Sequence, residues 1–330
     1  MRKQCLKVVA LAIFAVTAFA GISLASDGFP TGPIRFIVPF SPGGGSDMLA
    51  RTLAPHLSRE LGVPVVVENI EGAGTQIGLT ALLNAHADGY TISQASQPHM
   101  AFTIAVQGAG YEGADFAWLN MQHLDPVSIT VMPDRPWQNF QDLLDYIEAN
   151  PGQVAMGTTQ MSGTHVFLYY LQEELGLDFI IVPYPGGGEG RAALLGGHID
   201  VNVAHAFSDY SLRDQLRNIG IGWDERSSLW PDTPTILEAT GNERLNEVAK
   251  AAGMSFRGVA VSRQFKENYP ERFQILVEAY YRAYHSAEHM ADSERTGQIP
   301  IMHWTGPEEA ERLSDGANQV IAAFSHYFAR

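Results

Sequence analysis

The segment PFSPGGGSDM, at 39–48, carries the residue types best suited to holding an anion. It follows the apolar run IRFIVPF and leads into leucines at helical spacing, so the glycines would bring backbone N–H groups close to a ligand at a helix N-terminus. We expect Ser46 or Asp47 to cap this helix, with Asp47 ordering the loop or a water rather than touching an anion itself. The predicted ligand contacts are Pro42, Gly43, Gly44, Gly45, Ser46 and Asp47.

Nucleotide binding is not supported by this segment. No Gly-Lys-Ser/Thr follows the glycines, and Met48 stands where the third glycine of G-x-G-x-x-G would be. A second glycine-rich turn, ENIEGAGTQIG at 68–78, offers Gly74, Thr75 and Gln76 at another predicted helix start. Because both donor sets are neutral backbone and side-chain groups without a lysine, they suit a carboxylate better than a phosphate chain.

A third group of donors lies in the second half of the chain, in TTQMSGTH at 158–165 and YPGGGEGRAALLGGHID at 184–200. Gln97, His205 and Phe207 are expected to tune the choice of ligand. The predicted ligand contacts of the second half are Thr158, Gln160, Ser162, Gly163, Thr164, His165, Tyr184, Gly186 and Gly187.

Two enzymatic alternatives are open at this point, and both have weak motifs. Ser162 with His165 would be a nucleophile and base, but G-x-S-x-G fails because Gln160 stands at the first glycine. The segment HSAEH at 285–289 matches H-x-x-E-H, a zinc motif that requires both imidazoles on one helix face. Chance occurrence on a surface helix is the simpler interpretation, and we predict neither a metal nor a cofactor.

The pattern of elements predicts an α/β protein. Two successive units of strand, glycine turn and helix indicate a parallel sheet, with both glycine turns at the carboxyl edge of the strands where such sheets bind ligands. Residues 105–127 read as irregular, and PERFQILVEAYYRAYHSAEH at 270–289 reads as one long helix. Further units of strand and helix between 127 and 222 repeat this plan, so we expect a cleft between two halves.

The crossings between the halves are predicted near 126–132 and 248–258, and two crossings would act as a hinge. The predicted division is a first domain of 26–127 and 253–330, and a second of 128–252.

The N-terminus has the composition of a secretory signal peptide at 1–25, with a basic start, an apolar run and small residues before the predicted cleavage site. The single cysteine, Cys5, lies inside it, so disulfides and thiolate chemistry are not expected. The whole chain has 21 Lys and Arg against 36 Asp and Glu, and three of the basic residues belong to the leader. The remainder is therefore strongly acidic, which disfavours nucleic acid and anionic membranes as partners.

Several ordered motifs resemble the solute-binding receptors of tripartite tricarboxylate transporters, the Bug family. P-G-G-x-x-D falls on Pro42, Gly43, Gly44 and Asp47, and G-A-G-x-x-x-G falls on 72–78. YPGGGEGRAALLGGHIDV and LWPDTPTILEATG follow further along, so the resemblance spans nearly the whole chain after the leader. Glu71, where the family usually has proline, and the segment 201–210 depart from the pattern.

The resemblance implies a two-domain periplasmic-binding-protein fold of type II, closing on a small organic acid whose proximal carboxylate lies between the two first-domain loops. It also implies a receptor rather than an enzyme, a periplasmic monomer that delivers its ligand to membrane permease subunits. A sensory receptor for a carboxylate signal and a secreted hydrolase are the alternatives. The sequence does not identify the acid.

Overall fold

The computed structural model describes residues 28–328, which form an α/β protein with two mixed sheets. The predicted signal peptide at 1–25 lies outside the described residues. No helix within the described part is both long and apolar enough to cross a membrane. Along residues 28–328 the strands are β1 (Ile34–Val38), β2 (Val65–Asn69), β3 (Thr91–Gln97), β4 (Phe116–Asp125), β5 (Val127–Val131), β6 (Ala155–Thr159), β7 (Ile180–Tyr184), β8 (Val201–His205), β9 (Arg217–Gly222), β10 (Ser255–Ser262) and β11 (Met302–Thr305).

The helices connect these strands and cover both faces of the sheets, and short 3-10 turns occur between several of them. In the described range the α-helices are α1 (Gly45–Leu61), α2 (Gln76–Leu83), α3 (His99–Gln107), α4 (Phe140–Ala149), α5 (Gly163–Leu175), α6 (Gly187–Leu195), α7 (Ala206–Tyr210), α8 (Ile236–Thr240), α9 (Glu243–Ala251), α10 (Arg263–Asn268), α11 (Pro270–Tyr284), α12 (Ala287–Arg295) and α13 (Pro307–Phe324).

The two sheets are built on the same plan. The first has the order β11-β4-β10-β3-β1-β2 and the second β7-β6-β8-β5-β9. In the first, β1 pairs in parallel with β2 and β3, while β10 is antiparallel to β3 and β4. In the second, β6 pairs in parallel with β7 and β8, while β5 is antiparallel to β8 and β9. The parallel pairing confirms the prediction from the strand, glycine turn and helix units.

Strand β10 in the first sheet and strand β5 in the second are each antiparallel to both of their neighbours. Each of these two strands directly follows a crossing of the chain from the other half. Pro126 alone separates β4 of the first sheet from β5 of the second, and residues 252–254 separate α9 from β10. These positions fall within the crossings predicted near 126–132 and 248–258. Separate apolar clusters fill the second half and the two faces of the first sheet, and a smaller one around Leu49, Phe207 and Trp230 lies between the halves.

Two predictions about local structure are wrong. The stretch 105–127 is not irregular, because it contains the end of α3 and the whole of β4, a strand paired on both edges. Its sequence FAWLNMQHLD lacks apolar alternation, yet Asn120, Gln122 and His123 are all buried. The predicted long helix at 270–289 breaks at His285, because Ser286 caps a new helix by accepting a hydrogen bond from the His289 N–H.

Candidate functional site

A cavity lies between the two halves, at the carboxyl ends of β1, β3, β6 and β8. It has a volume of about 30 Å³, which is room for about two water molecules or one carboxylate group. Its wall contains hydroxyls, imidazoles and a guanidinium, and no Asp or Glu among the described residues lies in it. The lining residues are Phe40, Gly44, Gly45, Ser46, Ser96, His99, Thr159, Gly187, Ala204, His205, Ser208, Ser255 and Arg257.

The first glycine loop supplies the N-terminus of α1 to this cavity. The N-cap is Gly44, which has no side chain to accept hydrogen bonds, so the expectation that Ser46 or Asp47 would be the N-cap is wrong. Gly45 and Ser46 occupy the first turn, where backbone N–H groups have no partner within the helix. These N–H groups and the partial positive charge of the helix terminus can hold an anion in the cavity.

Asp47 orders this loop instead of lining the cavity. Its carboxylate accepts hydrogen bonds from the Gly43 N–H at 2.9 Å, from Arg51 Nε at 2.9 Å and from Asn69 Nδ2 at 2.9 Å. Burial acts to raise the pKa of Asp47, but these hydrogen bonds outweigh it and leave the pKa below its usual value. The ionised carboxylate therefore fixes the shape of the glycine loop.

The cavity wall includes Arg257, the cation of a buried ion pair that no sequence motif indicated. Arg257 on β10 is 4% exposed, and its Nη1 donates to Asp125 Oδ2 at 2.6 Å. The other oxygen of Asp125 accepts the Phe207 N–H at 3.0 Å. Burial raises the pKa of Asp125, and the guanidinium and the Phe207 N–H oppose that rise. Arg257 was detectable as a charged residue inside SFRGVAVS, a segment that otherwise reads as a buried strand.

The imidazoles at the cavity are neutral. Burial, followed by the charge of Arg257, lowers the pKa of His99 to about 3. The same two causes, with smaller ones, place the pKa of His205 well below its usual range, and His205 Nε2 lies 3.1 Å from the Gly253 carbonyl oxygen. His99 follows the carboxyl end of β3. Sheets of this kind bind ligands at the carboxyl ends of their parallel strands, so this position could have been predicted as a ligand contact.

The hydroxyl cluster of the second half is turned inward. Thr158 and Ser162 each lie within 2.8 Å of the Thr164 hydroxyl, and Ser162 Oγ donates to the Thr159 carbonyl oxygen at 2.5 Å. Ser162 also caps α5 by accepting the His165 N–H. No imidazole is positioned to activate Ser162 in these hydrogen bonds, so the structure gives no support to the hydrolase alternative.

The remaining predicted residues of the second half are spread around the start of α5 and α6. The Gln160 N–H donates to the Tyr184 carbonyl oxygen at 2.8 Å, and burial lowers the pKa of His165, stacked on Tyr169, to about 4. Gly163 begins α5, Gly186 is the N-cap of α6, and Gly187 alone of these residues lines the cavity.

The second glycine turn does not line the cavity. The Gln76 amide donates to the Ala109 carbonyl oxygen, and the buried Thr75 hydroxyl has no protein partner among the described residues. A Cβ on Gly74 would lie 2.8 Å from Met161 Cβ in the other half. Gly74 therefore allows the two halves to approach each other.

Gln97 and Phe207 are also away from the cavity wall. The Gln97 amide donates to Ser314 Oγ at 2.8 Å and accepts the Ala101 N–H at 3.1 Å. The Phe207 side chain packs in the apolar cluster between the halves. Of the predicted contacts, Gly44, Gly45, Ser46 and Gly187 line the cavity, and a direct contact with ligand stays a prediction for these four and for all the others.

One hydrogen bond joins the first glycine loop to the second half. Arg191 on α6 donates from Nη2 to the Gly43 carbonyl oxygen at 2.5 Å, and its Nη1 lies 3.9 Å from Asp209 Oδ1. A Cβ on Gly188, in the same helix, would lie 3.2 Å from the Pro42 carbonyl oxygen. The start of α6 and the first loop are thus in close contact across the cleft.

The H-x-x-E-H segment does not form a zinc site. His285 ends α11 and His289 belongs to α12, so the two imidazoles are not on one helix face. His289 Nδ1 lies 2.7 Å from the Tyr284 carbonyl oxygen. Within residues 28–328 no group of three or more His, Cys, Asp or Glu side chains is placed to hold a metal.

Comparison with known proteins identifies the family. The model described as "Tripartite tricarboxylate transporter family receptor" matches residues 49–254. Protein BugT of Bordetella pertussis is 32% identical over 234 residues, which cover 69% of this chain and 72% of BugT.

Solved structures agree with this assignment. One described as a periplasmic transporter has 27% identity and a TM-score of 0.77, covering 89% of this chain and 97% of its own. An R. palustris protein solved with adipate has 22% identity and a TM-score of 0.79, covering 91% and 98%, and shares the two-domain periplasmic-binding-protein fold. The match over 49–254 and the similarity to BugT confirm the resemblance seen in the motifs: this chain belongs to the tripartite tricarboxylate transporter receptor family, whose members are solute-binding receptors and not enzymes.

Proposed function

We propose that this protein captures a small organic acid between its halves, with one carboxylate group of the acid in the cavity, and delivers the acid to the membrane permease of a tripartite tricarboxylate-type transporter. In this proposal the leader at 1–25 is removed on export, and the mature monomer works in the periplasm. The domains that close on the ligand are 26–127 with 253–330, and 128–252. Membership of the receptor family supports the transport role.

The observation that carries the proposal is the composition of the cavity wall. The first turn of α1 contributes free backbone N–H groups, Ser96, Ser208 and Ser255 contribute hydroxyls, and Arg257 contributes a cation. Within residues 28–328 no acidic side chain lines the wall. A carboxylate fits this set because it accepts several hydrogen bonds, including charge-assisted ones from a guanidinium. The neighbour solved with adipate, a dicarboxylate, is consistent with this ligand class.

Capture follows from the contacts across the cleft. An acid would first meet the N-terminus of α1 in the open form, and closure would bring Gly187, Thr159 and Ser208 of the second half against it. The Arg191 to Gly43 hydrogen bond then stabilises the closed form. Exclusion of water strengthens each hydrogen bond to the carboxylate because the local dielectric falls.

The test starts from protein purified from the periplasmic fraction, with its N-terminus determined by mass spectrometry. After unfolding and refolding to remove resident ligand, thermal unfolding is followed with succinate, malate, adipate and citrate and with their amides. An acid at 100 times its dissociation constant should add about 2.7 kcal/mol of stability, and its amide should add much less. Uptake of the same acid should be lost when the gene is deleted. Stabilisation by no acid in the panel would overturn the proposal.

A further inference from the structure

Arg257 is a cation in the cavity wall with donor capacity beyond its ion pair. It lies on β10, between β3 and β4 in the middle of the first sheet. Among the described residues its side chain has one hydrogen bond, from Nη1 to Asp125. A Cβ built on Gly45 would lie 3.5 Å from Arg257 Nη2, so this nitrogen lies beside the first turn of α1.

Two positive groups therefore meet at one wall of the cavity, the guanidinium and the N-terminus of α1. The Asp125 carboxylate pairs with the guanidinium and not with the N-terminus of α1. It is fully buried behind the wall, and its two oxygens are taken by Arg257 and the Phe207 N–H. An anion that enters the cavity would interact favourably with both positive groups at once.

His99 provides a second, independent indication of a ligand. Its side chain is 3% exposed and lines the cavity, and its Nε2 has no partner among the described residues. Nδ1 lies 3.4 Å from Ser96 Oγ, and the ring is edge-on to Phe40 at 5.2 Å. A buried polar nitrogen normally has a hydrogen-bond partner, so Nε2 is positioned for a ligand atom.

We propose that Arg257 determines the charge selectivity of this receptor: its guanidinium pairs with a carboxylate in the cavity, and His99 Nε2 adds a hydrogen bond to the same ligand. This inference rests on the proposed function for the ligand class and goes beyond it by naming the residue that distinguishes an acid from its uncharged amide. Backbone N–H groups alone would donate equally well to a carboxylate oxygen or to an amide oxygen. A buried guanidinium favours the carboxylate because of its charge.

The test compares dissociation constants for succinate, malate and adipate and for their diamides by isothermal titration calorimetry. The main variant is R257Q combined with D125N, which removes both charges so that no unpaired carboxylate is left in the interior. We expect the dissociation constant of the tightest acid to rise about 10- to 100-fold, as for loss of a hydrogen bond to a charged group, and that of its amide to change less than about threefold. The control is R191Q, which removes another buried arginine near the cleft that does not line the cavity, and it should weaken acid and amide by the same factor.

The outcomes separate the inference from the proposed function. If the double variant folds, binds the acid and keeps the wild-type preference over the amide, the charge-selectivity role is wrong while carboxylate capture stands. Equal weakening of acid and amide would mean that Arg257 acts through packing, which also overturns it. If the double variant does not fold, R257K keeps the charge but loses the planar fork, and it should reduce acid preference at least about threefold; an unchanged preference overturns the inference. If the wild type binds no acid, both proposals fail.

Discussion

Removal of the Arg191 side chain tests whether the contact across the cleft stabilises the closed form. Arg191 is 6% exposed and reaches from α6 of the second half to the Gly43 carbonyl oxygen in the first. Substitution with glutamine, R191Q, shortens the side chain and removes its charge. Within each half the change leaves the sheet pairings intact, because Arg191 lies on a helix outside both sheets.

The magnitude follows from the kind of bond that is lost. A hydrogen bond with a charged donor contributes about 1.5–3 kcal/mol. If about 2 kcal/mol of this acts only in the closed form, the dissociation constant rises up to about 30-fold. Calorimetry measures the dissociation constant, and small-angle scattering measures the radius of gyration with and without ligand. The variant should be more expanded than the wild type before ligand is added.

The matched control is R226Q in the same half. Arg226 pairs with Glu238 at 2.9 Å, both side chains are 47% exposed, and such surface pairs contribute at most about 1 kcal/mol. A second variant, R191Q with D209N, removes the carboxylate that R191Q leaves without its cation. Dissociation constants within twofold of wild type in both Arg191 variants, with an unchanged radius of gyration, would refute the closing role.

Three further predictions follow from single contacts. G188V should weaken ligand binding about 5- to 150-fold, because the new side chain meets the Pro42 carbonyl oxygen only in the closed form. The unfolding temperature measured by calorimetry without ligand should change little. Burial raises the pKa of Asp209 to about 6, so its contribution to stability is present below pH 4 and is lost as the pH rises through 6. Urea unfolding should show that D209N avoids a loss of about 2 kcal/mol in the free energy of unfolding between pH 4 and pH 7. S162A should reduce stability by about 1 kcal/mol through loss of the helix cap, and a change in ligand affinity larger than in stability would instead favour direct ligand contact.

The elements that position the site were predictable where a local signal exists. The first glycine loop sits between an apolar strand and leucines at helical spacing, and α1 ends before Gly62 as those signals indicate, although it begins at Gly45, before either residue predicted as its cap. By contrast β4 was missed, because a strand paired on both edges can bury Asn120 and Gln122 in tertiary contacts that the sequence pattern does not show. Helix and strand periodicity report burial of apolar residues, not of polar ones.

The orientation of hydroxyls and charges was the least predictable part of the site. Ser162 and Thr164 have the composition of a ligand-binding cluster, yet they hydrogen-bond to each other, and Ser162 also donates to the Thr159 carbonyl oxygen. Ser96 and Ser255, which line the cavity, lie on strands with no motif to mark them. A hydroxyl can satisfy its hydrogen bonds locally or across a cleft, and only the relative position of the two halves decides between these.

The glycines connect ligand capture to domain closure. The sequence suggests that glycines bring the backbone close to a ligand, and the first turn of α1 fits that interpretation. Gly74 and Gly188, however, face the opposite half, where a side chain would contact Met161 or the Pro42 carbonyl oxygen. Gly43 accepts the Arg191 hydrogen bond one residue before the segment that lines the cavity. Because the same loop contacts the ligand site and the closing surface, a substitution there should change affinity and the closed population together. A substitution at Arg257 should instead weaken binding of the acid and leave binding of the amide nearly unchanged.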